Sequence, residues 1–171
     1  LAFLPVWPSV PLAMRARVLA THMEGLNARR RLLTSQVLGG ALAQIEKNPA
    51  LLEQAALVLN HADWPAGVIG IVASELAERF NRPTILLATP PGEPARGSAR
   101  SVEGINITAA IATQQSLLLG FGGHPMAAGL SLDPAYLPAF RRGLSRAVEV
   151  ASGGALPRPA VTLVAARAEG T

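Results

Sequence analysis

Two short apolar runs, "AALVLNH" from Ala55 and "TILLA" from Thr84, bracket a stretch of helical periodicity, and no other feature restricts the fold as strongly. Between them, "DWPAGVIGIVASELAERF" places Ile69, Val72, Ala73, Leu76 and Phe80 on one helical face. "NRP" then stops that helix, because Pro83 has no N–H to continue it. Runs this short and this apolar are expected as buried strands. A strand, a helix and a second strand in this order predict a parallel pair joined by a right-handed crossover.

The following segments extend that unit. "TPPGEP" is a turn, and "ARGSARS" is a polar strand or strand end. "INITAAIATQQSLLL" has helical character, and "AAGLSL" is expected as a strand after a glycine loop. Asp133 and Pro134 have the chemistry of a helix cap and first position, and Leu137, Phe140, Leu144 and Val148 form the buried stripe of the helix that follows. "SGGALPRP" is a linker, and "AVTLVAARA" is expected as a final strand. Upstream, Pro11 to Lys47 is expected as one long helix, with Leu12, Leu19, Leu26 and Leu33 every seven residues and Gly39-Gly40 weakening its end. Arg29, Arg30 and Arg31 are consecutive, so they cannot share one face of it. Such a helix has too little core of its own and is expected to act as a connector whose stripe packs on something else. The fold class is therefore α/β, a mixed sheet flanked by helices and preceded by a long helix. Residues 1–50 form the N-terminal segment and connector, 51–152 the compact domain, and 153–171 a linker with the first strand of a following region.

Composition narrows the function classes. Of 171 residues, 50% are hydrophobic and 15% charged, which excludes a disordered tail. No apolar run is long enough for a membrane span, and the apolar start lacks the basic region of a signal peptide. The chain has no cysteine, which excludes disulfides and thiolate metal sites and fits a cytoplasmic location. It begins without Met, and is expected to derive from something longer. The net charge of +4 admits an anionic partner. Lys47 is the only lysine. The preference for arginine fits either codon bias or bidentate phosphate recognition.

Three segments carry candidate chemistry. "GVIGIVAS" starts a helix at a glycine, which either offers free N–H groups to an anion or permits close helix–strand packing. In "RGSARSVEGIN", Ser98 and Arg100 point the same way in an extended chain. With Ser101 close by, they form either a phosphate clamp or a solvated strand edge. In "LLLGFGGHPMAAGLSL", Gly122 and Gly123 can bring backbone N–H groups to an anion as a nest, with His124 as an added donor. The small residues Ala127, Ala128 and Gly129 imply close approach to something. The only histidines are His22, His61 and His124, and no segment clusters Asp and His as a two-metal phosphoesterase requires.

"DWPAGVIGIVASELAERFNRPTILLA", "GSARSVEGINI" and "LLGFGGHPMAAGLSL", in this order, resemble the C-terminal DHH-associated domain of the RecJ family of single-strand-specific 5′ to 3′ exonucleases, and "LNARR" is similar to the end of that family's inter-domain helix. The resemblance covers about Leu12 to Val150. It implies a substrate-binding domain facing a DHH catalytic domain of the same polypeptide across a cleft that holds single-stranded DNA. It further implies phosphate-binding roles for Ser98, Arg100, Ser101, Asn106, Gly122, Gly123 and His124, and no catalytic residue or metal here. Mn2+ or Mg2+ is expected in the DHH domain, whose motif this sequence lacks. Where the family often has "WHPGVIG", this chain has Trp64-Pro65-Ala66-Gly67, so the histidine's role has no counterpart. Two alternatives stand beside this reading: a DHH-family phosphodiesterase acting on oligoribonucleotides or cyclic dinucleotides, and a non-catalytic replication or repair scaffold.

Overall fold

The structure, a computed structural model, describes residues 10–154. The strand expected over "AVTLVAARA" lies outside these residues, as does most of the linker before it. The two apolar runs are strands β1 (Leu57–His61) and β2 (Thr84–Ala88), paired in parallel with Leu57 opposite Thr84, and helix α2 (Ala66–Phe80) connects them. Asn81 ends α2 in the left-handed conformation at φ 47°, and Pro83 starts the return to the sheet. Three further strands add in antiparallel fashion: β3 (Ala95–Arg100) on β2, β5 (Ala127–Leu132) on β3, and β4 (Leu118–His124) on β5. The sheet order is β1-β2-β3-β5-β4, so the sheet is mixed, as expected.

Helices cover it on both sides, and each strand sends alternate residues to each. On one side Leu57, Leu59 and Leu86 meet Val68, Ile69, Val72, Ala73 and Leu76 of α2. Val37, Ala41 and Ile45, spaced four apart, close this layer from the last three turns of helix α1 (Leu12–Lys47). On the other side Val58, Ile85, Leu87, Ala95, Ala99, Ala128, Leu130 and Leu132 pack on helices α3 (Ile107–Ala112) and α4 (Leu137–Ala151). Leu137, Phe140, Leu144 and Val148 are the buried stripe of α4. Asp133 accepts from the Ala135 N–H at 2.8 Å and opens a short 3-10 turn, Pro134–Tyr136, that leads into α4.

Two expectations need correction. The helix foreseen from Ile105 to Leu119 stops after six residues; a 3-10 turn (Gln115–Leu117) follows, and from Leu118 the chain is strand. Glycines at 120, 122 and 123 disfavour helix, and pairing with β5 satisfies the backbone instead. The weakening foreseen at Gly39-Gly40 does not occur either: α1 runs straight through to Lys47, because the packing of Val37, Ala41 and Ile45 outweighs propensity. Its leucine stripe divides. Leu33 packs on the domain, whereas Leu12, Leu19 and Leu26 are exposed, at 76%, 54% and 52%.

A buried arginine fastens the chain before β1. Arg82 is 3% exposed, and its guanidinium donates to the carbonyls of Leu52 and Gln54. Burial lowers its pKa below the ordinary arginine value. Arg82→Met keeps the apolar stem but removes the donors to two part-buried carbonyls, so it should lower unfolding stability by about 1–2 kcal/mol. A urea titration that gives an unchanged midpoint and slope would rule out this role for the guanidinium.

Candidate functional site

The register of three strands builds one open face. On β3, Ala95 and Ala99 turn toward α3 and α4. Arg96, Ser98 and Arg100 therefore point to the opposite side. The same alternation sends Ala127, Gly129 and Ser131 of β5 to that side, while Ala128, Leu130 and Leu132 enter the core. Pairing then sets three rows across β3, β5 and β4: Arg100, Ala127 and His124; Ser98, Gly129 and Gly122; Arg96, Ser131 and Gly120. Gly122, His124 and Gly129 are exposed. At two strand spacings, the Cα atoms of Arg100 and His124 stand about 10 Å apart. The floor between them is Ala127 and glycine backbone.

The glycines divide by face. Gly123 belongs to the packed side, and a Cβ there would run into the Ala127 carbonyl and Ala128, so close packing demands glycine. Gly122 would meet nothing within 4 Å, and Gly129 only the Gly97 carbonyl at 4.0 Å. Neither has a positive φ. Glycine within a strand costs about 0.5–1 kcal/mol relative to alanine, and at these two positions neither packing nor backbone conformation requires it. Both leave the floor of this face open. The nest foreseen at Gly122-Gly123 is corrected: both residues lie in the extended strand β4, which pairs with β5 on one side, so they form a strand edge and not a concave turn.

His124 ends β4 on a firmly held backbone. Its carbonyl accepts from the Thr108 hydroxyl at 2.7 Å. The two-residue turn beyond it is tied down by the Ile107 N–H to the Pro125 carbonyl and the Ser101 N–H to the Met126 carbonyl, both at 2.9 Å. Ser101 is buried, and its hydroxyl donates to the Ile105 carbonyl at 2.6 Å. Asn106 caps α3, accepting from the Ala109 N–H at 3.0 Å. Of the seven residues singled out, Ser98, Arg100, Gly122 and His124 thus share the open face. Gly123 sits behind it, and the side chains of Ser101 and Asn106 serve the scaffold that holds His124. His22 lies out on α1 and His61 stacks on Trp64, so neither shares this face.

On the other flank, Arg100 donates to the Ala99 carbonyl at 2.8 Å and leans on α2. A Cβ on Gly70 would stand 2.7 Å from its guanidinium nitrogen and 3.3 Å from the Ser98 hydroxyl. The first glycine of "GVIGIVAS", Gly67, has open space around it, whereas Gly70 provides the helix–strand fit. Sequence reasoning singled out Gly129 for close approach but missed Arg96 and Ser131 as members of this face. The period-two pattern of "ARGSAR" and "AAGLSL" contained them.

A family model described as the DHHA1 domain matches residues 47–149, which include β1 through all but the last residues of α4. The chain belongs to the DHHA1 domain family. This DHHA1 domain is 39% identical over 144 residues to the single-stranded-DNA-specific exonuclease RecJ of Bacillus subtilis, with 81% of the chain and 18% of that protein covered. It is 38% identical over 128 residues to RecJ of Escherichia coli, covering 69% of the chain and 22% of that protein. The crystal structure of RecJ in complex with Mn2+ from Thermus thermophilus superposes with a TM-score of 0.73 at 34% identity, over 87% of this chain and 21% of that one. A further structure, of exonuclease RecJ bound to manganese, gives 0.70 at 34%, over 85% and 34%. The chain spans about a fifth of the length of the curated relatives it matches. The metals named with those structures find no fitting donor set here: among the described residues, no three of His, Cys, Asp or Glu converge to hold an ion. Nor is any described helix long and apolar enough to cross a membrane.

The surplus glycines supply a direct check. Gly122→Ala and Gly129→Ala should each raise stability by about 0.5–1 kcal/mol, and Gly122→Leu should fold while covering the floor. A fall in melting temperature for both alanine variants would mean that the fold, not a ligand, needs these glycines.

Proposed function

We propose that the domain grips the phosphate backbone of single-stranded DNA on this face, as the substrate-binding half of a RecJ-type 5′ to 3′ exonuclease. The observation that carries the reading is the open glycine floor between Ser98 and Arg100 on one flank and His124 on the other. A guanidinium with an adjacent hydroxyl suits a phosphate oxygen, and the imidazole opposite provides a second donor. Hydrolysis requires a metal-carrying DHH domain of the same polypeptide on the other side of the cleft, and Mn2+ or Mg2+ belongs there. The exposed turns of α1, from Leu12 to Leu26, fit a helix that reaches from this domain to that one. The work is that of a DNA repair and recombination nuclease in the cytoplasm.

Binding of a fluorescent single-stranded oligonucleotide tests the reading. The 171-residue chain should bind weakly, with a log–log salt slope of roughly 0.7 per phosphate contacted, and should show no hydrolysis with or without Mn2+. Arg100→Ala and His124→Ala should each remove a charge-assisted bond of about 1.5–3 kcal/mol, roughly ten- to a hundredfold in affinity. The double variant should be less than additive if both residues hold one phosphate. Neither change should move the melting temperature by more than a degree or two, because both side chains lie outside the core. Affinity insensitive to salt and to both substitutions would overturn the proposal, and preference for a dinucleotide over the long strand would favour a small-substrate phosphodiesterase.

A further inference from the structure

The face continues past Ser98. Arg96 lies two residues before Ser98 on the same side of β3 and is exposed. No hydrogen bond or ion pair engages its guanidinium among the described residues. Its row partners are Ser131 and Gly120, and the Ser131 hydroxyl stands over the Gly120 position at 3.8 Å from where a Cβ would be. Together they line an open groove of about 630 Å³ that also includes Gly122 and Gly129, so it joins the floor already described without a barrier. Alternate residues along β3 stand about 6.6 Å apart, a repeat comparable with the phosphate spacing of an extended single strand. Arg100 and Arg96 are two such repeats apart, about 13 Å, so a strand laid along β3 would bring one phosphate to Arg100 with Ser98 and the second one beyond it to Arg96. Beyond Arg96 the sign of the surface changes, for Glu93 and Asp133 border the adjoining cleft.

Resting on the proposed function, we propose that Arg96 and Ser131 hold a further phosphate of the bound strand, two along from the one at Arg100, and that Glu93 and Asp133 end this track. The domain then recognises phosphates in line along one β-strand, and a substrate with only two phosphates, starting at the Arg100–His124 row, does not reach Arg96.

Measuring affinity for a 5′-phosphorylated dinucleotide and for an oligo-dT of about a dozen nucleotides, over a salt series, separates the two readings. In Arg96→Ala the oligo-dT should bind on the order of fivefold more weakly, with a salt slope smaller by roughly 0.7. Dinucleotide binding and melting temperature should stay unchanged. Arg96→Lys should retain the slope, and Glu93→Gln should tighten the oligo-dT only. If Arg100→Ala weakens both ligands while Arg96→Ala changes neither affinity nor slope, the extended track is wrong and the proposed function stands. If neither substitution affects either ligand, both fall. Equal weakening of dinucleotide and oligo-dT by Arg96→Ala would also overturn the track, since it places Arg96 in the first row.

Discussion

The open face depends on how the β4–β5 turn is fastened. Met126 and Pro125 offer their carbonyls to the N–H groups of Ser101 and Ile107, and the His124 carbonyl takes the Thr108 hydroxyl. These bonds join the end of β3, the start of α3 and the hairpin into one corner. Ser101 and Asn106 keep that corner in shape, one through the Ile105 carbonyl and the other as the cap of α3. The imidazole of His124 therefore extends from a backbone held by hydrogen bonds at the corner.

A second constraint is the division of glycines between the two faces of one hairpin. On the packed face Gly123 is required because Ala127 and Ala128 lie where a side chain would go. On the open face Gly122 and Gly129 give up strand stability that alanine would supply. Sites that sacrifice stability without a local structural reason are those where function asks for it. A side chain added at either position would fill the space between Arg100 and His124. Gly70 makes the same kind of allowance on α2, where its bare Cα leaves room for the Arg100 guanidinium.

Arg82 and Arg100 show how one residue type serves opposite ends. Arg82 is enclosed, its donors spent on the Leu52 and Gln54 carbonyls, and it anchors the chain before β1. Arg100 keeps part of its fork exposed, with one bond to its neighbour's carbonyl. Nothing in "NRP" or "SARS" distinguishes them by composition. What separates them is their neighbours. Arg82 follows a helix end that points it beneath the turn before β1. Arg100 sits on a strand whose open side α2 covers only in part.

The sequence by itself determined the strand–helix–strand unit, the α4 stripe, and the facing of Ser98 with Arg100, because period is a local property of the chain, while Asp133, expected as a helix cap, caps the 3-10 turn before α4 instead. It also held the long helix, whose period was legible although its extent through Gly39-Gly40 rested on packing. Only the tertiary structure decided that Leu118 to His124 is a strand, since that segment pairs with β5 and has no strong local preference of its own. Tertiary structure likewise decided which motif residues face out. Ser101 lies next to Arg100 in sequence yet turns inward, because the chain leaves the sheet there and its hydroxyl finds the Ile105 carbonyl. His124 and Arg100, 24 positions apart, come into one row through the register of three strands, and register is a long-range choice made by core packing on the far side of the sheet.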